Sequence, residues 1–545
     1  MKSVSRRALL ASAGTILAAP GVKAAQSDTA RRRAAAFEVR LDAAIQERDV
    51  TPPAQVNNGD EALYFNKLGN FSKGLPHNDL GEVDPNAYAK LLDAVNSGDM
   101  AKLEAVVMGS ADPQLQLKFV NPLSGLAFDL EGADCNSLSL PPAPRLVSAE
   151  AGGEMAELYW MALARDVSFI DYDNHQLTQA AAADLSKLSD FHGPRVQGKV
   201  TTGTLFRGLT PGDLPGPYLS QFLWRPIPFG VQVIDQRLRT TAAGVDYATA
   251  YPSWLALQKG IDPQTPEKFD GARRWIRNGR DLARWVHIDV LYQAYLNAFL
   301  ILSTPPDPSD NLTGGGLGAP LNAGNPYNGS RTQIGFGTFG GPYMATILPE
   351  VATRALKAVW HQKWYVHRRL RPEEFGGRVH NKLAGRAGYF LHDDLLNSAA
   401  LGRVKSANGT WLLSLAYPEG CPLHPSYGAG HATVAGACVT ILKAVFDETY
   451  LIQNPVIAAA DGLSLVPYTG PDSNQLTVRG ELNKLAANIA TGRNFAGIHY
   501  RSDYSQSIRL GEAVAISVLR DQRLTYAEDF DGFTFTSFDG EKITV

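Results

Sequence analysis

The chain has 545 residues, 44% hydrophobic and 19% charged, with a formal net charge of −3, a balance that suits a globular protein with one large core or two fused ones. The lack of a basic bias argues against nucleic acid as a partner, and beyond the N-terminal region no uncharged stretch reaches transmembrane length, which argues against a membrane-embedded protein. Three cysteines, Cys135, Cys421 and Cys438, are too few for a disulfide scaffold and allow one internal pair at most.

In chain order, residues 1–24 read as an export signal. Lys2, Arg6 and Arg7 make a basic start, Ala8 to Ala19 a short apolar run, and Val22-Lys23-Ala24 a small-residue cleavage pattern. Ser5-Arg6-Arg7-Ala8-Leu9-Leu10 fits a twin-arginine address, with an ordinary secretory signal as the alternative. Either places the mature protein in the periplasm or outside the cell, with residues 25–545 as a single large helical domain.

Arg32 to Arg48 is Ala-rich and predicts a helix; residues 58–82 predict a Gly/Asn-rich loop; residues 85–97 and 149–165 predict helices. Asp281 to Ser303 predicts one long core helix, with Trp285, Ile288, Leu291, Tyr292, Tyr295 and Phe299 at core spacing. Residues 305–342 lack periodicity, and a loop of that length inside a domain is commonly functional. Because it leads into the helix that carries Lys363, it is expected near the mouth of the site. Its Gly335–Gly341 run has neither the preceding strand nor the lysine of a phosphate loop.

Three segments carry chemistry. A helix starting near Glu350, with Val351, Leu356, Val359 and Trp360 on one face, ends in Lys363, Arg368, Arg369 and Arg371 before Pro372. Cations in a last turn commonly form a solvated face, but here Trp360, Trp364 and Tyr365 draw some of them inward. The stretch Cys421–His431 ends in a Gly428-Ala429-Gly430 turn that opens a small-residue helix, with His424 and His431 on either side. Such a turn aims backbone N–H groups and the positive helix end at a bound anion; read alone, it is first a buried turn with a structural histidine. The third segment holds Arg493, then His499, then Asp503, a carboxylate placed to fix a histidine tautomer. Residues 504–519 predict a last core helix, Cys438 a buried thiol, and the tail from Glu528 a short β-hairpin. Strand signals are sparse, so the fold class is mainly α.

The order Lys363-x7-Arg371-Pro372, Gly430-His431, Arg493-x5-His499-x3-Asp503 resembles the vanadium-dependent haloperoxidases and the acid phosphatases that share their site. Lys73–His77, Glu154–Trp160 and Phe206–Asp213 resemble runs of the algal-type bromoperoxidases. The resemblance covers most of the mature chain and implies a helical bundle of two packed four-helix units, with the site-forming half at about residues 345–525. It implies one vanadate per subunit, held by Lys363, Arg371, Gly430, His431 and Arg493, with His499 as the metal ligand. Catalytic roles fall on His431, His424, His499 and Asp503, with hydrogen peroxide, bromide or iodide, and small organic acceptors as partners, in a homo-oligomer. His424 stands where the family's bromoperoxidases carry histidine and its chloroperoxidases an aromatic residue, which implies bromide and iodide over chloride. Two departures stand out. Ala429 and Gly492 replace serines, and the first loses a hydrogen bond to the anion worth about 1.5–3 kcal/mol. The same residues also suit a phosphatase, with His499 as nucleophile and His431 as leaving-group acid, or a weak oxyanion-binding protein.

Overall fold

The computed structural model describes residues Thr29–Val545, so the export signal expected over residues 1–24 lies outside them. The chain divides into a unit ending at Val50 and a compact unit Thr51–Val545. In the first, helix α1 (Thr29–Asp49) has no buried residue; its alanines and arginines form no apolar stripe.

The second unit is helical, with short antiparallel strand pairs only. Helix α2 (Pro85–Ser97) is bounded as its sequence dictates: Asp84 accepts from the N–H groups of Asn86 and Ala87, Pro85 occupies the first turn, and Gly98 closes the end at φ 66°. Helix α3 (Ala149–Leu163) starts at Ser148, which accepts from the Ala151 N–H, and is buried over most of its length. It packs with Gln176–Leu185, Asp393–Leu396 and Ala399–Asn408 as one helical group. Within the loop expected at 58–82, Asp60–Leu63 forms one short helical turn.

The site sits on a second group, α6 (Gly341–His361), α8 (Gly430–Val445), α9 (Val478–Phe495) and α10 (Arg501–Arg523), with α8 in the middle. Every residue of α8 except His431 is buried. Its small residues make this possible. A Cβ on Gly436 would lie 2.0 Å from the Ile508 carbonyl oxygen, and one on Gly511 would lie 1.9 Å from that of Thr433. The two glycines let α8 and α10 cross backbone to backbone. In the sequence between α6 and α8 comes α7 (Pro372–Leu383), with Arg371 at its N-cap.

Two expectations are corrected. The single helix over 281–303 is two helices, α4 (Gly279–Trp285) and α5 (Gln293–Ser303), with residues 286–292 non-helical. Ile288, expected in the core, is 71% exposed. The cause is tertiary: Arg493 Nη1 takes the Val286 carbonyl at 2.6 Å. Gly492 lets that segment approach, since a Cβ there would meet Val286 Cγ2 at 2.9 Å. The second correction concerns the loop over 305–342. Its Asn322 N–H donates to the Val445 carbonyl at 2.7 Å, and Asn322 Nδ2 to that of Thr534 at 2.7 Å. Val445 ends α8, whose 16 residues span about 24 Å. The loop therefore lies at the far end of the bundle from Lys363 and Gly430, not at the mouth of the site.

The remaining strands pair locally as β1–β2 (Ile227–Phe229, Gln232–Ile234), β3–β4 (Leu238–Thr241, Phe269–Arg274) and β5–β6 (Val456–Ala458, Leu465–Pro467). The tail hairpin is β7–β8 (Thr534–Thr536, Lys542–Thr544), with Thr534 opposite Thr544. All three cysteines are buried free thiols. Among the described residues no helix is long and apolar enough to cross a membrane.

Candidate active site

At the end of α6 the regular helix gives way to a π-helical turn over Gln362–His367, after which Arg368 takes φ 44°. The wider turn brings Lys363 fully inside, as wide turns in helices do at functional sites. Its Nζ donates to the carbonyls of Pro425 and Ser426, both at 2.8 Å, which leaves one of its three N–H groups free. The aromatic residues around the cations act as expected: Trp364 is buried and Trp360 lies against His424, ring centroids 4.8 Å apart.

Arg371 is fully buried and reaches four backbone or ring groups. Nε donates to the His424 carbonyl at 2.8 Å, Nη1 to the Ile498 carbonyl at 2.8 Å and to His499 Nε2 at 3.0 Å, and Nη2 to the His424 ring at 2.8 Å. Its own N–H is capped by Glu374, which also accepts from Ser72; Ser72 in turn bonds His77 Nε2 at 3.0 Å. Arg493 donates to Val286, lies 5.5 Å from the Tyr417 ring centroid, and keeps a buried Nε with no partner.

His499 and Asp503 face each other one turn apart, Nδ1 to Oδ2 at 2.8 Å. Asp503 is over-determined. Ser426 donates to Oδ2, and Arg369 Nη1 donates to Oδ1 at 2.9 Å while Arg369 Nη2 binds Glu154 at 2.8 Å. Asp503 thus holds Nδ1 of His499 and leaves Nε2 as the nitrogen turned to the cations. Burial pushes Lys363, His424 and His499 well below their ordinary pKa values. Charge repulsion adds to it, from Arg371 in all three and also from Lys363 in the histidines. Both imidazoles are therefore neutral in this state.

On the other side of the turn, His431 is the most exposed residue of the set, 21% by side chain, and its Nε2 meets Asp289 Oδ1 at 3.0 Å. Burial alone would raise the Asp289 carboxyl. The charge and hydrogen bond of His431, with Arg493 behind, hold it below the usual range. Asp289 went unnoticed in the sequence because residues 281–303 show the periodicity of one core helix. Arg369 and Glu154 were visible only as part of a cation run and of an apolar helix.

Ala429 is buried at the N-cap of α8 and makes no side-chain cap. Its N–H donates to Ser507 Oγ at 2.8 Å, and its carbonyl receives Thr433 Oγ1 at 2.9 Å. Gly430 is the first residue of α8, under Trp360.

The structure therefore brings Lys363, Arg371, Arg493, His424, His499, Asp503 and the α8 N-terminus together, with His431 at the edge. The cluster is electropositive, because Asp503 is matched by Arg369 and Asp289 by His431, leaving Lys363, Arg371 and Arg493 without an acid of their own. The partnerless Arg493 Nε and the spare Lys363 N–H fit a small multiply charged oxyanion, and vanadate meets that description.

Residues 346–526 match the VCPO second helical-bundle domain. The chain is 39% identical to a vanadium-dependent bromoperoxidase of Corallina officinalis, covering 94% of this chain and 98% of that one, and 36% identical to one of Ascophyllum nodosum, covering 93% and 91%. In structure it is similar to the homohexameric second vanadate-dependent bromoperoxidase of Ascophyllum nodosum, with a TM-score of 0.87, 30% identity, and coverage of 99% of this chain and 95% of that one. With relatives this similar over nearly its whole length, the chain belongs to the vanadium-dependent bromoperoxidase family.

Proposed function

We propose that this chain is a vanadium-dependent bromoperoxidase, oxidising bromide and iodide with hydrogen peroxide to hypohalous acid that halogenates small organic compounds. The observation that carries the reading is His499, its Nδ1 tied to Asp503 and its Nε2 among three buried cations. Lys363, Arg371, Arg493 and the Gly430 N–H would hold the vanadate, one per subunit, with His499 Nε2 as its ligand. Bound vanadate supplies a Lewis acid that polarises peroxide without a change of its own oxidation state.

The remaining work falls to this chain's own groups. To admit the ligand, Arg371 Nη1 would yield His499 Nε2 and keep its bond to the Ile498 carbonyl, while Nε keeps the His424 carbonyl, so the guanidinium stays oriented. Asp503 keeps the proton on Nδ1 and thereby the lone pair on Nε2. His431 takes and returns protons: Asp289 fixes Nε2, which leaves Nδ1 for the incoming peroxide, and its partial exposure links it to water. His424 is neutral and packed against Trp360 at a tilt, and sharing a hydrogen bond with the anion would dampen its pull on peroxide, favouring bromide over chloride.

A homo-oligomer is supported by the homohexameric neighbour. Export rests on the basic, apolar, small-residue order of residues 1–24; changing Arg6 and Arg7 together to Lys blocks it if the route is the twin-arginine one, and unchanged periplasmic accumulation rules that route out. The deciding assay pairs bromination by vanadate-loaded protein plus peroxide with aryl phosphate hydrolysis by vanadate-free protein. Bromination that needs vanadate is expected. Hydrolysis without bromination would overturn the reading.

A further inference from the structure

A cavity of about 230 Å³ opens beside the His431–Asp289 pair, with Asp289 in its wall. It lies between the break that separates α4 from α5 and the strands β2 and β3. Peroxide, halide and hypohalous acid need far less room, and a benzene ring fits a cavity of roughly 150 Å³. Its lining combines the apolar Ile234, Trp285 and Ile288 with the guanidinium groups of Arg237, Arg239 and Arg284 and the carboxylate of Asp235.

The three guanidinium groups are not equivalent. Arg237 is paired with Asp235 at 2.7 Å through Nε, and Arg284 with Glu267 at 2.8 Å. Arg239 has no carboxylate partner among the described residues and lies over the Phe269 ring, 3.8 Å from its centroid. The cavity therefore presents one cation without a carboxylate partner, on an exposed side chain laid over an aromatic ring. It also leaves Ile234 43% and Ile288 71% exposed at its rim, apolar surface that a ligand would take from water.

We propose that this cavity binds the organic acceptor, and that the acceptor is an electron-rich aromatic ring bearing one anionic group, such as a phenolic carboxylate. The chemistry rests on the haloperoxidase reading; the binding does not. Hypobromous acid formed beside His431 meets the ring next to where it forms. A C–Br bond forms as the O–Br bond breaks, and the departing hydroxide leaves with the ring proton as water. An acceptor held there has a high effective concentration and intercepts the oxidant before it diffuses away.

Calorimetric titration of 4-hydroxyphenylacetate and of neutral 4-methylphenol into the vanadate-loaded protein, without peroxide, tests this. The anionic ring should bind more tightly than the neutral one. Arg239→Gln should weaken the anion about tenfold, the worth of one charged hydrogen bond, and leave the neutral ring unchanged. Ile288→Asp should weaken both. With peroxide and bromide, the KM of the anionic phenol relative to the neutral one should rise in Arg239→Gln by a similar factor.

No binding by the wild-type protein, or equal binding by wild type and Arg239→Gln, overturns the proposal. If 4-methylphenol is still brominated in that case, the haloperoxidase reading stands without it. Binding with no bromination of either phenol overturns the acceptor role and the haloperoxidase reading together.

Discussion

The two histidines that face the α8 N-terminus live in opposite surroundings. His499 is 2% exposed and held by a chain of buried charges, Asp503, Arg369 and Glu154. His431 is 21% exposed and held by one carboxylate from an irregular segment beside a cavity. The same side chain thus serves two purposes. Full burial with an over-determined partner fixes one nitrogen and keeps the ring neutral, which suits a ligand. Partial exposure with a single partner lets the ring gain and lose a proton, which suits acid–base work.

The strongest way to break the contrast is to unpair the sealed side. Arg369→Met leaves Glu154 and Asp503 as buried carboxylates with no cation between them, and removing one partner of such a network costs about 3–5 kcal/mol. A clear drop in melting temperature and loss of vanadate affinity are expected. Retention of both would mean that the network is not what holds His499.

On the open side, His431→Ala should lower bromination by about 10²–10⁴-fold, the ordinary range for a general acid–base group, with little change in melting temperature. Asp289→Asn should fall between it and wild type and shift the pH–rate profile. A rate unchanged in both variants would remove the pair from the reaction.

A third test reaches the support beneath Arg371. His77 is buried and donates or accepts within the Ser72–Glu374 chain, and burial pushes its pKa down to about 3. The unfolded chain binds a proton there below about 6.5, the folded chain only near 3. Stability should therefore fall as pH drops from about 6.5 toward 3, with a slope of up to one proton. His77→Gln should flatten that slope in a melting-temperature series; an identical slope would place the acid sensitivity elsewhere.

The smallest effect sharpens the comparison at the turn that precedes His431. Ala429→Ser supplies the missing N-cap of α8, which is worth about 0.5–2 kcal/mol, and should bind vanadate as tightly or more so. Much weaker binding would show that the pocket is packed around the Ala429 methyl group.

The sealed side was legible in the sequence. Cations among tryptophans, a Gly-rich turn before a small-residue helix, and His499 four residues before Asp503 are local patterns with direct physical readings. The helical class, the capped helix at Pro85 and the tail hairpin were legible for the same reason. The open side was not. Asp289 lies where apolar spacing predicts a continuous helix, and the break comes from Arg493 and Gly492, more than two hundred residues away in sequence. The loop over 305–342 lies at the other end of the bundle because it enters α6 at Gly341, whereas Lys363 follows the last residue of that 21-residue helix, and nearness in sequence to a long helix is not nearness to its far end. The role of Arg369 was hidden because a run of cations does not reveal which one turns inward to an acid.

The most direct test is equilibrium binding of vanadate to three folded proteins: wild type, His499→Ala and His431→Ala. Loss of binding in His499→Ala with near wild-type binding in His431→Ala is the predicted result. Equal retention in both variants, or loss in His431→Ala alone, would contradict the assignment of the sealed histidine to the cofactor and the open one to the proton.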